Sequence, residues 1–260
     1  MPKNSSIHRL QIVFETFSVP PPYSHQYTFD IQFRKRDLWL EYSLQYTNRD
    51  ELSQEEIWEE GFSPDDDFHW KGALPPVWSQ TLSETWQQTR LTHKDQYDQP
   101  LENGLMITAY LSEGQEVSGV PEQIEHWEYL LQELTQAVYE ATQREHPLRI
   151  RYLKRSAQGE ELQLTVIIRF AQRLLEVTRQ QGKQSYQYYP DWIKTKPLLS
   201  TLYQLDYNSE KALSKMPNHP GKYLDPGDSL WYLLGEGVTN LSKVDRLEEF
   251  KKELYRLSAL

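Results

Sequence analysis

The chain has 260 residues, no cysteine and a formal net charge of −10, which excludes disulfides, thiolate metal sites and cysteine nucleophiles and argues against polyanions as general partners. With 38 % hydrophobic, 13 % aromatic and 25 % charged residues, it has the composition of a folded globular protein. No apolar run is long enough to span a bilayer and the N-terminal residues lack a signal-peptide core, so the expected setting is soluble and cytoplasmic, with no membrane contact.

Taken in chain order, "IHRLQIVFETF", "YTFDIQF" and "DLWLEYSLQYT" read as an antiparallel meander. Tyr27, Phe29, Ile31 and Phe33 alternate with polar residues, as do Leu38, Leu40, Tyr42, Leu44 and Tyr46, which is the period of half-buried strands. "LSQEEIWEEG" follows as a short helix in which Ser53 caps and Glu56 closes a capping box. In "SPDDDFHWKG", Ser63 to Gly72, a serine cap, a proline at the first helical position and early acids predict a second helix start. On such a helix Asp65 pairs with His69 and Asp67 with Lys71, and Gly72 ends the turn. "PPVWSQTLSETWQQT" reads as a helix and "GLMITAYL" as a strand. "PEQIEHWEYLLQELTQAVYEATQRE" reads as a long helix with Ile124, Trp127, Leu131, Leu134 and Val138 on its core face.

From about His146 the same order begins again. "PLRIRYLKR", "EELQLTVIIRF" and "RLLEVTRQ" predict a second meander, "QQGKQS" a hairpin turn, "TKPLLSTLYQLD" a helix, "SLWYLLGEG" a strand and "NLSKVDRLEEFKKELYRLSAL" a closing helix. At an offset of 120, Trp127, Glu128, Leu130, Glu133 and Leu134 fall on Leu247, Glu248, Phe250, Glu253 and Leu254, and Thr81 and Leu82 fall on Thr201 and Leu202. The expected fold class is therefore α+β: two related βββ-α-β-α repeats, 1–145 and 146–260, forming one pseudo-twofold unit with a groove between them.

Charge is unevenly shared. Residues 1–120 carry 9 Lys and Arg against 19 Asp and Glu, whereas residues 147–222 carry 13 against 6. Arg149 and Arg151 alternate with Leu148, Ile150 and Tyr152, so they are expected on a basic outer sheet face, with Lys154, Arg155, Arg169, Tyr186 and Tyr188 as further binding candidates. Cations interleaved with aromatics suit single-stranded nucleic acid or another polyanion, and equally an ordinary solvated sheet. The charge asymmetry also allows self-association.

Catalytic signatures are sparse. There is no nucleophile elbow, phosphate loop or paired-histidine zinc motif, and the histidines are scattered. His126 is expected as a hydrogen-bonded structural residue. Asp65, Asp66, Asp67 and His69 are the one group suited to a hard cation, with an imidazole beside it as acid or base. Pro190, Asp191 and Trp192 echo Pro64, Asp65 and Trp70, which assigns those types to the architecture and leaves Asp67 and His69 unexplained. The leading expectation is a non-enzymatic binding or interaction protein using the inter-repeat groove or the aromatic and basic surface, with a protein or small-molecule partner and no cofactor. A metal-dependent hydrolase centred on Asp65 to His69 is the rival, and nucleic-acid binding by the basic sheet the third reading.

Overall fold

The computed structural model describes residues 7–92, 103–112 and 114–258. The chain is mixed α+β and divides into two compact units, Met1–Arg144 and Glu145–Leu260. No described helix is long and apolar enough to cross a membrane.

In unit 1 the predicted meander forms as β1 (Ile7–Thr16), β2 (His25–Phe33) and β3 (Leu38–Tyr46). Antiparallel register sets Ile12 opposite Phe29 and Ile31 opposite Leu40, so each strand's apolar alternate residues meet on one face. Next come α1 (Gln54–Glu59), which has the expected Ser53–Glu56 capping box, β4 (Phe68–Leu74) and α2 (Pro76–Gln88). They are followed by β5 (Leu91–Thr92), β6 (Asn103–Leu111), β7 (Glu116–Pro121) and α3 (Ile124–Ala141). The sheet runs β4-β3-β2-β1-β6-β7-β5. Its core consists of Leu10, Ile12, Phe29, Ile31, Leu38, Leu40 and Ile107 from the sheet, Trp78 and Leu82 from α2, and Trp127, Leu131, Leu134 and Val138 from α3. Ile124 is only half-buried and His126 is exposed, so the expected structural role of His126 is not found.

The stretch from Ser63 to Gly72 is a turn and a strand, not a helix. The Ser63 N–H donates to Asp66 Oδ2 at 2.8 Å, the Ser63 hydroxyl to Asp66 Oδ1 at 3.0 Å and the Asp65 N–H to Ser63 Oγ at 3.3 Å. Ser and Asp satisfy a turn's donors with the same chemistry that caps a helix, which is why the residue types misled. Beyond the turn the period is two. Phe68 and Trp70 face Leu44 and Tyr42 across β3, while His69 and Lys71 point to the other face. Gly72 lies within this strand beneath the Trp70 indole, where a Cβ would fall 2.2 Å from the ring.

Unit 2 contains β8 (Leu148–Arg155), β9 (Glu161–Arg169), β10 (Leu174–Gln181), β11 (Gln184–Tyr188), α4 (Thr195–Leu202) and β12 (Leu205–Tyr207). Then follow β13 (Gly221–Asp225), β14 (Tyr232–Leu233), β15 (Val238–Asn240) and α5 (Arg246–Ser258). Its main sheet runs β11-β10-β9-β8-β13-β14, and β12 pairs with β15 separately. Position for position this is the order β4-β3-β2-β1-β6-β7 of unit 1. Each unit therefore has four meander strands, not three, and a return strand with a hairpin partner, not one strand, before its closing helix. "SLWYLLGEG" forms only the two residues of β14, with Trp231 bridging to Leu213.

The helix-facing side of the second sheet buries Ile150, Leu164, Val166, Ile168, Leu175, Val177 and Leu224 with Leu198 and Leu202 of α4 and Leu247, Phe250 and Leu254 of α5. A smaller cluster, Leu153, Tyr223 and Trp231 with Leu233 against it, lies on strand positions of the opposite face. The supposed echo of Trp70 in Trp192 also fails. Register sets Trp70 opposite Tyr42 within β4, whereas Trp192 lies after β11, edge-on to Phe170 at 5.6 Å.

Candidate anion-binding site

The alternation of β8 divides the seven binding candidates between two faces. Arg151 pairs in register with Thr165 and Asp225, and Tyr152 with Leu164 and Leu224. Arg149, Arg151, Arg155 and, from β9, Arg169 therefore share the outer face. Lys154 lies on the helix side, and so do Tyr186 and Tyr188, which pair with Arg179 and Val177.

Most of the outer cations are already engaged. Arg151 donates through Nε at 2.8 Å and through Nη2 to Asp225, whose side chain is 2 % exposed, and its guanidinium lies 4.8 Å above the Trp231 ring. Arg155 pairs with Glu161 at 2.6 Å and Arg169 with Glu176 at 3.7 Å. Arg149 is exposed and makes no ion pair among the described residues. Tyr188 turns its hydroxyl inward, and burial raises its pKa above the ordinary phenol value while Arg179 works to lower it. Tyr186 remains exposed.

A different set of cations converges. Lys222 on β13 lies directly opposite Lys154 on β8, and like charges at such a position repel. Beside Lys222, residues of α5 complete an open pocket of about 380 Å³ lined by Lys222, Glu248, Lys251, Lys252, Tyr255 and Arg256. Of these, Lys251 pairs with Glu248 at 2.5 Å, and Arg256 pairs with Glu253 outside the pocket lining. Lys154, Lys222 and Lys252 are exposed and make no ion pair among the described residues. The local excess is positive, as is that of the whole unit: residues 1–144 hold 10 Lys and Arg against 24 Asp and Glu, and residues 145–260 hold 18 against 14.

No family model, no curated protein and no solved structure matches the chain.

In the acidic stretch of unit 1, Asp66, Asp67 and His69 engage different partners. Asp66 closes the turn with Ser63 and takes a 3.3 Å contact from Arg49; Asp67 accepts from the Tyr46 N–H at 2.9 Å. His69 Nε2 lies 3.5 Å from Glu41, which also binds Lys71 at 2.9 Å. Asp65 offers its N–H to Ser63, as above. Among the described residues no three His, Asp or Glu side chains converge to hold a metal ion.

The Asp66 carboxyl shows what the turn does electrostatically. Burial works to raise its pKa, but donation from the Ser63 N–H, the Ser63 hydroxyl and Arg49 outweighs burial, and the net shift is downward. A folded pKa below the unfolded one stabilises fully above the unfolded value, and this stability is lost as pH falls through the folded pKa. Asp66→Asn should therefore cost about 1–2 kcal/mol at pH 7. It should also flatten the decline of stability below about pH 4. Urea midpoints from pH 7 to pH 2 test this, and an acid limb parallel to the parent's would refute it.

Proposed function

We propose that the protein is a non-enzymatic binding protein whose second unit takes a small ligand carrying several phosphate groups at the Lys222–α5 pocket. The observation that supports this reading is the unrelieved pair Lys154–Lys222 beside Lys252, a concentration of like charges that repel one another and that an anion would neutralise. The volume lies at the lower end of that of small-molecule sites. At offset 120 the positions of Lys251, Lys252 and Arg256 are occupied in unit 1 by Leu131, Gln132 and Gln136, so the site belongs to unit 2 alone. The same reading has the protein in the cytoplasm, consistent with its lack of cysteine.

The reading includes duplication of one ββββ-α-ββ-α unit. Besides strand order, it is supported by paired burial at two offsets. At 137, Tyr27, Phe29, Ile31, Leu38 and Leu40 correspond to Leu164, Val166, Ile168, Leu175 and Val177, all buried. At 120, Trp78, Leu82, Trp127, Leu130 and Leu134 correspond to Leu198, Leu202, Leu247, Phe250 and Leu254, again all buried.

Calorimetric titration with inorganic tripolyphosphate at low ionic strength tests the pocket. Lys222→Ala and Lys252→Ala should each weaken binding about fivefold to tenfold, or about 1–1.4 kcal/mol. Lys35→Ala, on a turn of unit 1, should leave it unchanged. Affinity should fall steeply between about 0.01 M and 0.15 M salt as the screening length contracts. No heat of binding at millimolar tripolyphosphate, or equal losses in all three variants, would remove the proposal.

A further inference from the structure

Strand β11 is an edge strand that carries little of the usual protection against pairing. Sheet edges are normally blunted by charge, proline, a bulge or shortness. The β4 edge carries His69 and Lys71, and β5 and β14 are two residues each. In contrast β11 is five residues, Gln-Ser-Tyr-Gln-Tyr, with no charged residue, and 181–187 are all exposed. The strand projects on a two-residue turn in which Gly182 has φ 59, the first position at which a type II′ hairpin places glycine.

The turn also fixes which backbone groups are unpaired. Gln181 and Gln184 flank a two-residue loop and exchange hydrogen bonds, so in the alternation of an antiparallel ladder Arg179–Tyr186 and Val177–Tyr188 do the same. The N–H and C=O groups of Ser185 and Gln187 then point away from β10, along the free edge.

We propose that this edge pairs with β11 of a second copy of the chain, antiparallel about a twofold axis through Tyr186. The sequence is self-complementary in that register. Ser185 meets Gln187 of the other copy in two equivalent hydrogen-bonded pairs, giving four backbone hydrogen bonds. The two Tyr186 side chains, each 55 % exposed in the single chain, meet across the axis on one face. Lys183 comes opposite Tyr189, itself 58 % exposed, a cation over a ring with no like charge facing it. The two Lys183 ammonium groups, one from each copy, lie at opposite ends of the paired segment, and no carboxylate falls within it. The paired sheets form one twelve-stranded sheet. Because the edge is short, the dimer is weak, with a dissociation constant on the order of 100 μM. This contact is independent of the basic pocket.

The absence of cysteine from the chain permits a specific test. Facing residues of a non-hydrogen-bonded antiparallel pair lie about 4.5 Å apart at Cα, within the range a disulfide spans. In the full chain, Tyr186→Cys should cross-link to a reducible dimer under oxidised glutathione at least tenfold faster than Lys35→Cys. Gln187→Pro, which removes an outward N–H without touching the bonds to β10, should weaken dimerisation in sedimentation equilibrium at least tenfold and leave the melting temperature within about 2 °C. The parent dimer should persist in 0.5 M salt. A parent that stays monomeric to 1 mM, equal cross-linking at positions 186 and 35, or a dimer that Gln187→Pro spares and salt dissolves would overturn the proposal. The last outcome would assign association to attraction between acidic and basic units.

Discussion

Arg151→Ala should lower the stability of the protein by about 3–5 kcal/mol, although Arg151 looks from sequence like one more solvent-facing cation on a sheet. Its partner decides the magnitude. Asp225 is 2 % exposed, and its Oδ1 accepts from the Gly227 N–H at 2.8 Å and the Ser229 N–H at 3.2 Å. Its Oδ2 depends on Arg151. Removing the guanidinium leaves a buried carboxylate with half its partners, and also strips a flat cation from the face of Trp231. Arg151→Lys should recover part of the loss, because an ammonium keeps the charge but neither the two-pronged geometry nor the stacking. Arg149→Ala should cost less than about 0.5 kcal/mol. Urea denaturation of the three variants decides the matter, and an Arg151→Ala protein within 1 kcal/mol of the parent would show the pair to be dispensable. A binding defect in Arg151→Ala thus reports on folding as much as on ligand contact.

Arg49→Ala should cost about 3 kcal/mol, the second largest effect expected of a single charged residue here. The side chain is 10 % exposed and ties three segments together. Nε donates to the Pro22 carbonyl at 3.2 Å, and Nη1 to the Ser63 carbonyl at 2.6 Å and to Asp66 at 3.3 Å. The guanidinium lies 3.7 Å from the Tyr46 ring centroid and 4.9 Å from that of Phe62. Substitution leaves two carbonyls and a carboxylate short of donors and opens a gap between two rings. Combining it with Asp66→Asn should cost clearly less than the sum of the two single changes, since both break the same contact. Strict additivity, or a loss below 1 kcal/mol for Arg49→Ala, would show that the three segments hold without the clamp.

The parts of the fold legible in sequence are those in which burial on one face imposes a period. Tyr27, Phe29 and Ile31 announce β2, and Trp127, Leu131, Leu134 and Val138 announce α3. Strand β11 gives no such signal, because Gln184 to Gln187 are exposed on both faces. In β4 the period is present from Phe68 to Trp70, but Ser63, Pro64 and Asp66 ahead of it carry the chemistry of a helix cap as well as that of a turn. The candidate site was missed for another reason. Lys222 is far in sequence from Lys251, Lys252 and Arg256, and only the return of β13 beside β8 sets Lys222 against Lys154. Charge counted over the whole of unit 2, with Lys251, Lys252 and Arg256 on the polar side of α5, was the available signal. The pairing of Arg151 with Asp225 is hidden in the same way, the partner being 74 residues away.

The connection between β3 and β4 is 21 residues, 47–67, whereas β10 and β11 are joined by two, 182–183. Closing the longer loop costs about 2 kcal/mol more in chain entropy by the logarithmic dependence on length. The fourth strand of unit 2 can zip onto its neighbour as a local hairpin, while that of unit 1 must be found by a long, wandering search. Part of that search is shortened by α1 and part is offset by the Arg49–Asp66 contact near the two ends of the loop. In the assembly of unit 1, β4 should accordingly pair later than β11 does in unit 2, with the Asp67 contact to the Tyr46 N–H and the Arg49–Asp66 contact acting as the latch that holds it once it has arrived.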